Sequence, residues 1–235
     1  MKKFLLDAIL LALFVAELSF HHLPKVLHEI LGVAMAAAII IHVAINFRRL
    51  KSLFKKISPR KIFIVTTDFL LALASTIIFF AGVCMSNYLF TDAASFELRR
   101  NMTIHQLHVA APYVMMILIG AHVGFHAQEL RQRFFCAKKF FNAAVVTLAA
   151  VGAFGLFFNR VHDRILMKHI FATPATDLHG IIFATLIFGG VIFFALITFC
   201  STKNFSGVKN FYKKNSLRVL QREKFFYTLE KFTGV

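Results

Sequence analysis

Between Lys25 and Arg48 the chain carries a single formally charged side chain, Glu29, and similarly apolar runs extend from Ile62 to Asn87, from Met102 to Ala127 and from His179 to Cys200. Such runs reach the ~20 apolar residues that a helix needs to cross a hydrocarbon core. With 58% hydrophobic residues and a mean hydropathy of +0.71, lipid is the expected solvent. Two shorter runs, from about Phe4 to Phe20 and from about Phe140 to Phe158, raise the expected number of spans to six. In the first, Lys2 and Lys3 resemble the start of a signal peptide. Asp7 and Glu17 interrupt the apolar stretch, however, and no small-x-small cleavage site follows, so a retained helix is expected. His21, His22 and Pro24 break it from the second span, which runs from about Lys25 to Phe47.

The net charge of +16 supports this topology. If the N-terminus is cytoplasmic, 21 of the 27 Lys and Arg residues fall on the cytoplasmic side and six on the other, and the bias alternates at every loop. Both termini are then cytoplasmic and the protein is a multi-pass protein of the inner membrane. The second and fourth spans run in the same direction. The tail from Ser201 to Val235 interleaves eight Lys and Arg with Phe205, Phe211, Tyr212, Phe225, Phe226 and Phe232, a composition suited to an anionic membrane surface rather than nucleic acid. Cys84, Cys136 and Cys200 have neither CxxC nor CxxCH spacing and are expected to act as packing residues.

His28 and His42 lie fourteen positions apart on the second span, and His108 and His122 repeat that spacing on the fourth. Fourteen helical steps rise about 21 Å and return to within about 40° of the same face. On parallel helices His28 therefore meets His108 near the outer edge, and His42 meets His122 near the inner edge. Two facing imidazoles can fill both axial positions of a haem iron, which suits electron transfer. Two b-type haems are thus expected, with these four histidines as ligands. Gly32, Gly120, Gly124 and the alanine-rich segment Ala34 to Ala38 would let a macrocycle approach the backbone, and they also suit tight helix packing. Lys25, Arg48, Arg49, Arg99, Arg100 and Arg131 border these spans; any of them can pair with propionates or simply set topology. Pro112 frees the carbonyl of residue 108, which either aims that ligand or adapts packing.

Other polar residues carry open alternatives. His126 is either a substitute inner ligand or a supporting group behind His122. Asp68, in the third span, is either part of an inner quinone or proton site or a hydrogen-bonding partner for a neighbouring helix. Glu29, His105, His169 and His179 are expected near the outer face in proton transfer, in metal binding or simply as interfacial residues, whereas His21, His22 and His162 are expected as ordinary interfacial residues.

The runs HEILGVAMAAAIIIHVAINF and HQLHVAAPYVMMILIGAHVGFH, with the looser FNRVHDRILMKHIFA, resemble successive blocks of the flavinylation-associated cytochrome family, within the wider group of membrane cytochromes b. The resemblance covers about His28 to Phe199 and does not extend to the tail. It implies a di-haem b-type membrane cytochrome that exchanges electrons between the quinone pool and an extracytosolic flavin-bearing or other redox protein. Such a chain is an electron-transfer subunit rather than a complete enzyme, and quinone or quinol joins the lipid bilayer and that protein among its expected partners. The expected fold is all-α and polytopic: residues 1–137 form a four-helix cytochrome b-like core, 138–200 hold two further helices with an outer His-containing loop, and 201–235 form the tail. Two other functions use the same histidines. A ferric-reductase-like subunit would need a separate electron donor, since no dinucleotide-binding glycine fingerprint is present. A divalent-metal transporter would need its ligands to converge in one cavity.

Overall fold

The computed structural model describes residues 2–54, 58–133, 138–168 and 178–202, and no strand occurs among them. The helices are α1 (Lys2–Leu18), α2 (Lys25–Leu53), α3 (Pro59–Met85), α4 (Phe96–Arg99), α5 (Met102–Arg133), α6 (Lys138–Phe158), α7 (Val161–Ile165) and α8 (Gly180–Thr202). Local chemistry sets their ends. A single 3-10 turn, Phe20–His22, and Pro24 separate α1 from α2. At the start of α3 the Ser58 side chain accepts from Lys61 N with Pro59 in the first turn, and Asn101 Oδ1 accepts from Thr103 N at 2.9 Å to open α5. Pro112 lies inside α5, and the helix continues through it.

Four helices are long and apolar enough to cross a membrane: Lys25–Leu53, Pro59–Met85, Met102–Ala127 and Gly180–Thr202. The six expected spans are therefore supported at four places. Helix α1, with 17 residues, is shorter than the ~20 a full crossing takes, and the apolar part of α6 is the shorter Asn142–Phe158. Large apolar side chains point outward along these helices, among them Ile40, Phe69, Phe80, Phe157 and Ile181. An apolar surface this extensive is suited to acyl chains rather than water. His169, Pro174, Cys136 and the basic tail from Lys203 onward lie outside the described residues.

Helices α3 and α5 make the most extensive helix pair, and α1 lies along α2. Phe14, Leu18, Met35, Ile78, Tyr113 and Met116 from these four helices share one core with Phe183, Ile187 and Val191 of α8. Glycine decides how α8 joins them. A Cβ at Gly120 would stand 2.5 Å from Phe194 Cβ, and one at Gly124 2.5 Å from the Ala195 carbonyl oxygen. These two glycines therefore seat α8 against α5, the tight-packing role, and not a macrocycle. At the crossing of α6 and α8, Gly152 meets Gly189 and Gly190 backbone to backbone.

Glu29 holds the outer end of α2 to the turn after α3. Its carboxylate accepts from Ser86 Oγ at 2.7 Å and from the backbone N–H groups of Asn87, Tyr88 and Leu89 at 2.8, 3.2 and 2.9 Å. Those bonds use much of the acceptor capacity of a carboxylate. Glu29 is thus a clasp that fixes where His28, one residue earlier, stands relative to α3.

Candidate functional site

The histidines of α2 and α5 stand opposite one another in two pairs. The His28 and His108 rings are 6.1 Å apart, centre to centre, with planes at 78°. Those of His42 and His122 are 6.4 Å apart at 67°. The helices that carry them make few close backbone contacts with each other, since α2 packs chiefly on α1 and α5 on α3. Each pair of rings therefore brings together two helices that are not in close backbone contact.

Two of the four Nδ1 atoms donate a hydrogen bond to another helix, and the other two stand beside a carboxylate of α1. His122 Nδ1 donates to Asp68 Oδ1 of α3 at 2.7 Å, and His108 Nδ1 to the Ile78 carbonyl of α3 at 3.2 Å. His28 Nδ1 lies 2.7 Å from Glu17 Oε2 of α1, and His42 Nδ1 lies 2.9 Å from Asp7 Oδ1 of the same helix. In the last two the carboxylate is close but not aligned with the ring N–H, and neither Nδ1 has a hydrogen-bond partner among the described residues. An acceptor at Nδ1 fixes the ring and its tautomer and leaves Nε2 as the ligating nitrogen, the arrangement typical of metal-binding histidine.

The spacing can be tested against the group it would hold. Two imidazoles bound on opposite sides of one metal at about 2 Å each, with each ring centre about 1.1 Å behind its nitrogen, have centres about 6.2 Å apart. Both observed pairs agree with that separation. Trans imidazoles share one axis, so their planes can take any angle about it. Among the described residues no group of three or more His, Cys, Asp or Glu side chains is placed to hold a bare ion. A macrocycle that brings its own equatorial nitrogens needs only two ligands from the protein.

Asp7, Glu17 and Ile78 were not anticipated in these roles from sequence. The two carboxylates are more than interruptions of an apolar helix; they reach the paired rings from α1. The available signal was their presence in an otherwise apolar segment, which by itself asks for a partner. For Asp68, the hydrogen bond to a neighbouring helix is the role found. Gly82 explains why His108 reaches the Ile78 carbonyl: a Cβ there would stand 3.2 Å from His108 Cε1, so the absent side chain leaves room for the ring. Gly32, by contrast, has open space around it, with Glu17 Oε2 its nearest neighbour at 3.9 Å.

The remaining histidines take other positions. His126 Nδ1 lies 3.3 Å from Arg49 Nη2, with its ring 5.1 Å from that of His122, so it stands behind the inner pair. His105, one turn before His108, has a buried Nδ1 without a hydrogen-bond partner among the described residues. His22 packs against Gly180 and Phe183, and His179 Nδ1 accepts from Ile181 N at 3.4 Å. His162 joins Arg160 and Lys168 around Asp163, at 3.4, 2.8 and 3.5 Å. Burial works to raise the Asp163 pKa, but these neighbouring charges outweigh it and hold the carboxyl below its ordinary value.

His21, in the turn between α1 and α2, packs on Phe20, which in turn touches His28. Burial, then the charges of Arg164 and His22, lower its pKa to about 4. A depressed histidine pKa means that the folded state favours the neutral ring. Its stabilising contribution is whole above about pH 6.5 and is lost as the pH falls toward about 4. Thermal unfolding in detergent should therefore show a loss of stability across that window that is smaller in His21→Gln.

Comparison with protein-family models, with curated proteins and with solved structures finds no match for the chain.

Proposed function

We propose that this chain is a di-haem b-type membrane cytochrome, with one haem held by His28 and His108 and the other by His42 and His122. The observation that carries this reading is the pair of ring separations, 6.1 and 6.4 Å, each between one imidazole whose Nδ1 is hydrogen-bonded and one whose Nδ1 stands beside a carboxylate. A haem held by two imidazoles would supply one-electron transfer. The residues of the chain do the rest. Glu17, Asp7, Asp68 and the Ile78 carbonyl orient the rings, and the apolar faces of α2, α3, α5 and α8 hold the bundle in lipid.

Six spans, cytoplasmic termini and an inner-membrane location complete the proposal, on the distribution of Lys and Arg. On that topology the two pairs lie at different depths and together bridge the two faces of the membrane. Resemblance to the flavinylation-associated cytochromes points to quinone on the membrane side and an extracytosolic flavin-bearing protein as redox partners.

The test is electron transfer across a sealed vesicle. With ferricyanide trapped inside and dithionite added outside, vesicles containing the haem-loaded protein should bleach the trapped oxidant. Vesicles containing His42→Ala should not. Equal bleaching in the two would overturn the role as a carrier. One substitution probes the fit of the outer pair: Gly82→Val would press on the His108 ring and is expected to cost that pair about tenfold in haem affinity. The His42–His122 pair should keep its haem, as read from haem per chain at limiting haem.

A further inference from the structure

The two histidine pairs differ in what stands behind their rings. At the His42–His122 pair both imidazoles meet a carboxylate, Asp7 at 2.9 Å and Asp68 at 2.7 Å. At the His28–His108 pair one imidazole meets Glu17 and the other the uncharged carbonyl of Ile78. Two carboxylates thus support one pair against a single carboxylate at the other. The difference is built into the helices: Gly82 opens α3 to the His108 ring at the outer end, whereas Asp68 occupies α3 at the inner end.

A carboxylate at Nδ1–H pulls the proton toward itself, makes the imidazole a stronger donor and adds negative charge close to the metal. Both effects favour the more positive, oxidised iron and so lower its reduction potential. Resting on the di-haem reading above, we propose that Asp7 and Asp68 give the His42–His122 site the lower of two potentials, so that electrons fall from that site toward His28–His108. On the topology set by the basic loops, the downhill direction is outward.

Other charges at the inner end act in the opposite sense. Arg49 faces His126, and Arg60 donates to the Phe125 carbonyl at 3.1 Å. Neither of these contacts is made to a paired ring itself, and both are exposed, where solvent and salt screen them. Asp68 instead makes an aligned bond with a ligand ring and has a side chain only 24% exposed. Asp7 is 51% exposed and off the N–H direction, so the larger effect belongs to Asp68.

The experiment is a spectroelectrochemical titration of the full haem-loaded chain in lipid nanodiscs, following the haem absorbance. Two one-electron waves are expected. His42→Ala should lose the lower wave and His108→Ala the upper one; the reverse assignment would overturn the proposal. Asp68→Asn should shift the lower wave upward by about tenfold in the oxidised-to-reduced ratio, about 59 mV for one electron. Asp7→Asn should shift it less, and Asp68→Glu should restore most of the low potential. If Asp68→Asn fails to retain haem, Asp7→Asn, on another helix, gives the same readout. A lower wave that neither amide variant moves, or an upper wave moved by Asp68→Asn, overturns the assignment of these residues while leaving the di-haem reading intact. A protein that takes up no haem and gives no waves overturns both.

Discussion

Replacing His42 or His122 by alanine is expected to remove one haem per chain and leave the other in place, and replacing His28 or His108 should do the same at the opposite end. The two pairs are separated by fourteen residues on each helix, about 21 Å, so no side chain serves both. Loss of an axial ligand should cost the affected site at least about 100-fold in haem affinity, since removing only a supporting partner of a metal-bound histidine already costs 10–100-fold. His126→Ala is the control. His126 sits behind His122 against Arg49, so its removal should leave both haems bound. Haem per chain, measured on purified variants, checks all five proteins. Equal loss of both haems from every single substitution would contradict two independent pairs.

Gly152→Val should produce the largest loss of stability. A Cβ at position 152 would stand 1.9 Å from the Gly189 carbonyl carbon and 2.3 Å from Gly190 N, and backbone cannot yield as a flexible side chain can. Helix α6 would have to move away from α8, at a cost of about 3 kcal/mol or more. None of the four paired histidines is on α6 or α8. The variant should therefore unfold at lower temperature and be cut more readily by protease, yet take up haem in the wild-type ratio. A Gly152→Val protein that is as stable as wild type would mean that the α6–α8 crossing is not the close backbone contact described.

The paired histidines were legible in the sequence because helix geometry alone turns a spacing of fourteen residues into two ends of one face. Their partners on the other helix followed from charge, since alternating basic loops make the second and fourth spans parallel. The supporting acceptors were harder to see. Asp7 and Glu17 reach His42 and His28 only because the short turn Phe20–His22 folds α1 back along α2, and that register depends on a few backbone angles. The Ile78 carbonyl has no side-chain signature, and Gly82 is conspicuous only once His108 is seen beside it. Glu29 looked like one more outer polar group because its partners, the N–H groups of Asn87 to Leu89, belong to a turn whose path no periodicity fixes. Gly120 and Gly124 flank His122 in sequence but face α8, since a helix turns consecutive neighbours to different sides. Composition makes the first span an expected crossing, and α1, at 17 residues, lies at the short end of the lengths that cross a bilayer.

The central claim is that two haems sit between facing imidazoles. The most direct measurement is a pyridine haemochrome assay of the purified protein, produced with ample haem, together with its dithionite-reduced minus oxidised spectrum. The account predicts two haems b per chain and a sharp low-spin spectrum in both oxidation states. A colourless protein, or one carrying high-spin haem with an open axial position, would contradict it.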